Sequence, residues 1–173
     1  MAVVVALVER AVVGVTRSVA WLFGLLLLAI LANVALRYLF DRPLTWLSEL
    51  QWHLYACTAM VGLSYAVVTN AHVRVDLLYS HFPEWIRKTV ETASLALLLI
   101  PLCVFLAMHG WEFTSTSLRL GESSALPGGL PFRWMVKGLI PVGACFLLIA
   151  ALTRCLRIWL PGASVAAANP ETT

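Results

Sequence analysis

Four long apolar runs constrain this chain more than any other feature. They are Ser18–Leu36, Leu50–Ala71, Thr92–Trp111 and Trp134–Thr153, in a chain of 173 residues. Each reaches the roughly 20 residues that a helix needs to cross a bilayer. Lys137, near the start of the fourth run, can send its long side chain back to the interface. The runs are continuous rather than alternating, and a chain this short cannot close a large membrane barrel, which argues against strands. The expected fold is an all-α membrane protein with four transmembrane helices and interfacial connecting segments. Residues 1–160 are expected to form one four-helix domain, with 161–173, rich in Ala and Pro, as a disordered tail.

Charge supports this reading. Only 12% of residues are charged and mean hydropathy is +0.87, whereas soluble domains carry about 25% charged residues. The net charge of +3 is scattered, so no basic face suits nucleic acid. Cys57, Cys103, Cys145 and Cys155 lie in or beside apolar runs without CxxC spacing and read as buried small apolar residues. The opening MAVVVALV lacks a basic signal-peptide start, and Ser18–Leu36 is too long for a signal core, so the N-terminus is expected to be retained. Arg10 and Arg17 are seven apart and share a helical face. Residues 1–17 are therefore expected to start as a helix along the membrane surface and to continue into the first span.

Between the first two runs lies RYLFDRPLTWLSELQWH, residues 37–53, where Arg37, Asp41, Arg42 and Glu49 alternate with Tyr38, Phe40, Trp46 and Trp52. Charge and aromatics gather this way where a chain leaves and re-enters a bilayer. Asn33 and Arg37 share a helical face, and so do Glu49 and His53. Asn33 is expected to point at protein, because an unpaired amide in hydrocarbon is costly. Glu49 has three readings: a pair with Arg37 or His53, a contact with another subunit, or a carboxylate at the positive end of a helix. The face continues through Ala56, Cys57, Met60 and Ser64, small enough for a helix–helix seam.

The segment 70–88 is too apolar for a free linker and too charged to span, so it is read as lying against headgroups, broken by Pro83. Within it, His72, Arg74 and Asp76 form either an anchor to a larger partner or anionic lipid, or a flank with a local ion pair. Pro101 and Pro141 are kink positions. Residues 112–132, which include Glu112, Arg119, Glu122, Ser123 and Ser124, read as a polar loop. They form either a docking surface or a solvated connection. With both termini on one side, that side holds seven Lys and Arg against five on the other, which favours cytoplasmic termini.

The succession RYLF, TWLSEL, NAHVRVDLLY and GESSALPGGLPFRW followed by LIPVG resembles the small permease subunit of tripartite ATP-independent periplasmic (TRAP) transporters, the DctQ type. The resemblance covers roughly residues 20–150. It implies a non-enzymatic scaffold subunit, multi-pass in a bacterial inner membrane and without a cofactor of its own. The implied partners are membrane lipids, a large permease subunit carrying the substrate and sodium sites, and a periplasmic binding protein that delivers a small organic acid. No run carries a ladder of ionisable groups such as a transport path needs. A rival reading uses His53 and His109, with Glu49 and Glu112, as haem or metal ligands in an electron-transfer subunit.

Overall fold

A computed structural model describes residues 2–69 and 82–160 of the chain. Its regular structure is entirely helical: α1 Ala2–Leu39, α2 Thr45–Val68, α3 Glu84–Ser94, α4 Ile100–Arg119 and α5 Trp134–Trp159, with a π turn at Leu95–Leu99 joining α3 to α4. Among the described residues three stretches are long and apolar enough to cross a membrane: Val5–Leu39, Glu84–Arg119 and Trp134–Trp159. The expected four reduce to three on this measure. Helix α2 has the length, at 24 residues, but Glu49, Gln51 and His53 in its first turns dilute its apolar character.

Residues 2–17 are helical and continuous with the first apolar run, as expected. They are the first turns of α1, with Val5 and Val12 buried and Val8 packed against the core. Residues 5, 8 and 12 lie on one side of a helix, and that valine stripe draws the segment into the bundle. Arg10 and Arg17 face outward together. At 38 residues, α1 is about 57 Å long, well beyond the thickness of a bilayer core. Asp41, with φ of 49°, turns the chain after α1. The Arg42 amide then bonds back to the Leu36 carbonyl at 3.0 Å.

Pro101 has no N–H and its ring crowds the carbonyl four residues back. The helix absorbs this in the π turn at Leu95–Leu99, immediately upstream. Glu84, Arg87 and Lys88 belong to α3, which starts after Pro83, rather than to a connector. Residues 112–119 also correct the sequence expectation, because they continue α4 instead of forming loop. Their hydroxyls bond within the helix, Thr114 Oγ1 to the Gly110 carbonyl at 2.7 Å and Ser115 Oγ to that of Glu112 at 3.0 Å. The polar sequence therefore does not unwind the backbone.

Helix α5 is the centre of the bundle and packs on α1, α2 and α4. Two glycines set the closest approaches. A Cβ on Gly110 would lie 3.0 Å from Ile140 Cγ2 and 3.1 Å from Pro141 Cδ, and a Cβ on Gly143 would lie 2.7 Å from Met60 Cβ. The expected α2 seam is here, with Ser64 fully buried and Met60 over Gly143. Val12, Val67, Val68, Leu95, Cys103, Leu147 and Ala150 form the core. All four cysteines are free thiols; Cys103 is buried, whereas Cys145 is exposed.

One end of the bundle is clamped by ions. Arg157 Nη1 donates to Glu9 Oε1 at 2.7 Å. Arg154 donates to Glu91 Oε1 through Nε at 2.8 Å and Nη2 at 2.7 Å. Trp159 Nε1 donates to Thr92 Oγ1 at 3.0 Å. The side chains of Glu9 and Arg157 are 17% and 18% exposed, between a surface pair and a buried one. Arg157→Ala, which strands Glu9, should therefore destabilise the detergent-solubilised protein by about 1–2 kcal/mol. The double change Arg157→Met, Glu9→Met should recover most of that loss in the same thermal melt.

Candidate functional site

The opposite end gathers the C-terminal turns of α1, the start of α2, the 120–133 loop and the start of α5. Asn33 Nδ2 donates to Ser48 Oγ at 3.0 Å, and Gln51 Nε2 donates to the Ala29 carbonyl at 2.9 Å. As α1 advances from 29 to 33, its partners on α2 recede from 51 to 48, so the two helices are antiparallel. Asn33 thus points at protein, and each amide spans a helix–helix seam where an unpaired amide would be costly.

The loop begins with a Schellman turn. Gly121, at φ of 58°, follows α4, and its amide and that of Glu122 bond to the carbonyls of Leu118 and Ser117 at 3.2 and 3.1 Å. The chain then folds back on itself. The Ser124 amide reaches the Leu130 carbonyl at 3.3 Å, and the Arg133 amide reaches that of Glu122 at 3.1 Å. Phe132 closes the turn with φ of 70°.

Glu49 holds this loop. Its Oε1 accepts the Ser124 hydroxyl, and its Oε2 accepts the Leu130 amide at 2.6 Å. Gly129 lies so close that a Cβ there would stand 2.9 Å from Glu49 Oε1 and overlap Ser124. An unbranched backbone is needed to bring the amide to the carboxylate. The expected pair with Arg37 is not formed: Arg37 is exposed and stacks over Tyr38 at 5.7 Å. A carboxylate at the start of α2 meets a hydroxyl and a backbone amide oriented toward it, whereas Arg37 leaves α1 on the exposed side. The His53 imidazole does not bond the Glu49 carboxylate either. Its Nδ1 donates to the Glu49 backbone carbonyl at 2.6 Å, since a carbonyl can only accept.

Glu122 makes the second tie. Its carboxylate receives Lys137 Nζ, and the Ser117 hydroxyl at 2.7 Å. The ammonium also sits 4.0 Å over the Phe113 ring. Lys137 is thus bound to protein and does not reach toward headgroups. The hydrogen bond from Lys137, then that from Ser117, with Arg133 nearby, hold the Glu122 carboxyl below the usual glutamate range, while burial pushes the other way. A depressed folded-state pKa gives stability that is fully present above the unfolded-state value and lost as pH falls through the folded one. Thermal stability should therefore show no Glu122-dependent change between about pH 8 and 6, with loss only below the ordinary carboxyl value of about 4.3. Glu122→Gln should remove that acid-side slope.

A cavity of about 500 Å³ opens beside this latch, lined by residues that include Ser48, Glu49, Trp52, His53, Leu126 and Arg133. Tyr38, Trp46 and Trp52 are exposed at the same end, at 76%, 43% and 70%. They have the amphipathic character of aromatic residues at a bilayer interface. Ser123, Glu112 and Arg119 are also exposed.

Residues 26–160 match the family "Tripartite ATP-independent periplasmic transporters, DctQ component". The chain belongs to this family. Among relatives of this DctQ-family subunit, the sialic acid TRAP transporter permease protein SiaT of Haemophilus influenzae is 33% identical over 136 residues, 74% of this chain and 21% of the relative. The C4-dicarboxylate TRAP transporter small permease protein DctQ of Vibrio cholerae is 30% identical over 95 residues, 55% of this chain and 40% of the relative. A putative TRAP transporter small permease protein of Haemophilus influenzae is 26% identical over 122 residues, 69% of this chain and 74% of the relative. The chain thus spans about a fifth of the first and two fifths of the second.

The two histidines of the electron-transfer reading do not share a site in this DctQ-family subunit. His53 lines the latch cavity. His109 is on α4, against Phe105 at 4.3 Å and 4.0 Å from Glu112, with both side chains exposed. Among the described residues no three His, Cys, Asp or Glu side chains are grouped to hold a metal ion. His72, Arg74 and Asp76 lie outside the described residues, as does the 161–173 tail.

Sequence reasoning missed Ser48 and Gln51 on the latch seam, the Glu122–Lys137 tie, and both ion pairs of the clamp. One signal was available. Glu9 and Glu91 border apolar runs, where a carboxylate needs a partner, and Arg154 and Arg157 are spaced to occupy one side of α5.

Proposed function

We propose that this chain is the scaffold subunit of a TRAP-type secondary transporter. Residues 1–160 form a single four-helix domain in the bacterial inner membrane, with α2 as the fourth span and both termini in the cytoplasm. It holds a large permease subunit during sodium-coupled uptake of a small organic acid, delivered by a periplasmic binding protein. It performs no catalysis and binds no cofactor. The latch end then faces the periplasm, where Glu112, Arg119, Glu122, Ser123 and Ser124 lie near the binding protein's approach.

The observation that carries this reading is how the charged groups inside the bundle are used. Glu9, Glu49, Glu91, Glu122, Lys137, Arg154 and Arg157 each tie one element to another. Such groups stiffen a bundle, whereas a transport path keeps ionisable groups available to its cargo. The family match supports the transporter assignment. Two relatives are named for sialic acid and for C4-dicarboxylates, both organic acids, which supports the substrate class.

Proteoliposomes holding the large permease, with binding protein and an inward sodium gradient, test the proposal. Uptake should require this chain. Undiminished uptake without it would refute the scaffold role.

A further inference from the structure

Helix α1 has two sides of different character. Val5, Val12, Leu26 and Ala29 go into the bundle. The other side carries Gly14, Arg17, Trp21, Gly24 and Leu28, all exposed and spaced by three and four residues. That spacing forms one continuous helical seam.

Three observations distinguish this side from a lipid-facing one. First, the chain places Gly110 and Gly143 where its own helices approach most closely, yet nothing lies within 4 Å of a Cβ built on Gly14 or Gly24. Exposed glycine in a helix destabilises it, but in membranes glycine lets a second backbone approach. Second, Arg17 is exposed beside the first apolar run and has no acidic partner among the described residues. Third, over its apolar stretch, residues 98–108, the outward side of α3–α4 has neither feature: Leu98, Phe105 and Met108 are 71%, 57% and 67% exposed. Large uncharged side chains of this kind suit acyl chains.

We infer that the Gly14–Arg17–Trp21–Gly24 side of α1 is the seat of the large permease subunit, which lays an apolar helix along it and presents a carboxylate or a helix C-terminus to Arg17. This rests on the scaffold reading above and assigns that contact to one surface. The SiaT relative adds a further argument. Its similarity to this chain occupies 21% of its length, so in that permease protein the matching module belongs to a much longer polypeptide. The charge on Arg17 selects the occupant's chemistry, since a wholly apolar helix would leave the guanidinium unpaired in low dielectric.

The test is photo-crosslinking in the assembled complex. Benzoyl-phenylalanine is placed at Trp21 or Leu28 on α1, and at Leu98 or Met108 on the other side. Adducts to the large permease from the α1 positions, absent from the α3–α4 positions, are the expected result. Adducts only from α3–α4, adducts to a second copy of this chain, or no protein adduct from α1 while the complex still co-purifies would each overturn the surface and leave the scaffold reading standing. Failure to co-purify any permease would overturn both.

Gly24→Leu and Arg17→Glu give a second readout. Neither side chain meets anything in the isolated subunit, so its melting temperature should stay unchanged or rise for Gly24→Leu. Recovery of the permease with it should fall about tenfold, as for loss of one charge-assisted or closely packed contact. Unchanged recovery for both variants would also overturn the assignment.

Discussion

Gly143→Leu should be strongly destabilising. The first atom it adds would stand 2.7 Å from Met60 Cβ and 2.9 Å from Met60 Cγ, too close for real carbon atoms. The remaining three carbons have nowhere to go without separating α2 from α5. Overpacking of this kind costs about 1–3 kcal/mol, and here it acts on the helix around which the bundle is built. Gly143→Ala should show a smaller loss in the same melt. The methionine's own Cβ is the nearest clash, so Met60→Ala should rescue Gly143→Ala only partly, and Met60→Gly more fully. Equal melting temperatures for wild type and Gly143→Leu would mean that α2 and α5 do not cross here.

Glu49→Ala should free the 120–133 loop. The substitution removes the acceptor of both the Ser124 hydroxyl and the Leu130 amide, leaving a hydroxyl and a backbone donor without their partner. Limited proteolysis reads this directly. Cleavage between Leu120 and Arg133 should accelerate about tenfold or more, as for loss of a charge-assisted hydrogen bond. Cleavage elsewhere should be unaffected. Ser124→Ala should act less strongly, because the Leu130 amide still holds. Added to Glu49→Ala it should contribute only the smaller loss of the hydrogen bond from the Leu126 amide, which donates to Ser124 Oγ at 3.2 Å. Fully additive effects would show that Ser124 does not hold the loop through Glu49.

The helices were largely legible in the sequence because hydrophobic continuity is a local property. Three of the four apolar runs lie in helices long and apolar enough to span, and α2 falls short through the polar residues that build the latch. Of the two expected kink positions, Pro101 directly follows the π turn, whereas Pro141 lies inside an uninterrupted α5. The seam through Met60 and Ser64 followed from side-chain size at helical spacing. The site was less legible because its contacts are distant in sequence. Reasoning over neighbours offered Glu49 only Arg37 and His53, whereas its partners are Ser124 and Leu130 in the loop beyond α4. Glu9 and Arg157 are equally remote. The polar composition of residues 112–119 misled for a physical reason: serine and threonine can bond to their own helix, so composition alone does not unwind it.

As a scaffold, this chain should work only with a larger membrane partner. Native mass spectrometry of the affinity-tagged chain, extracted with the lipids of its own membrane, tests this directly. One dominant species is expected, one copy of this chain with one copy of a large TRAP permease. A chain that emerges alone or as a homo-oligomer, while the permease from the same membranes transports without it, would contradict the scaffold role.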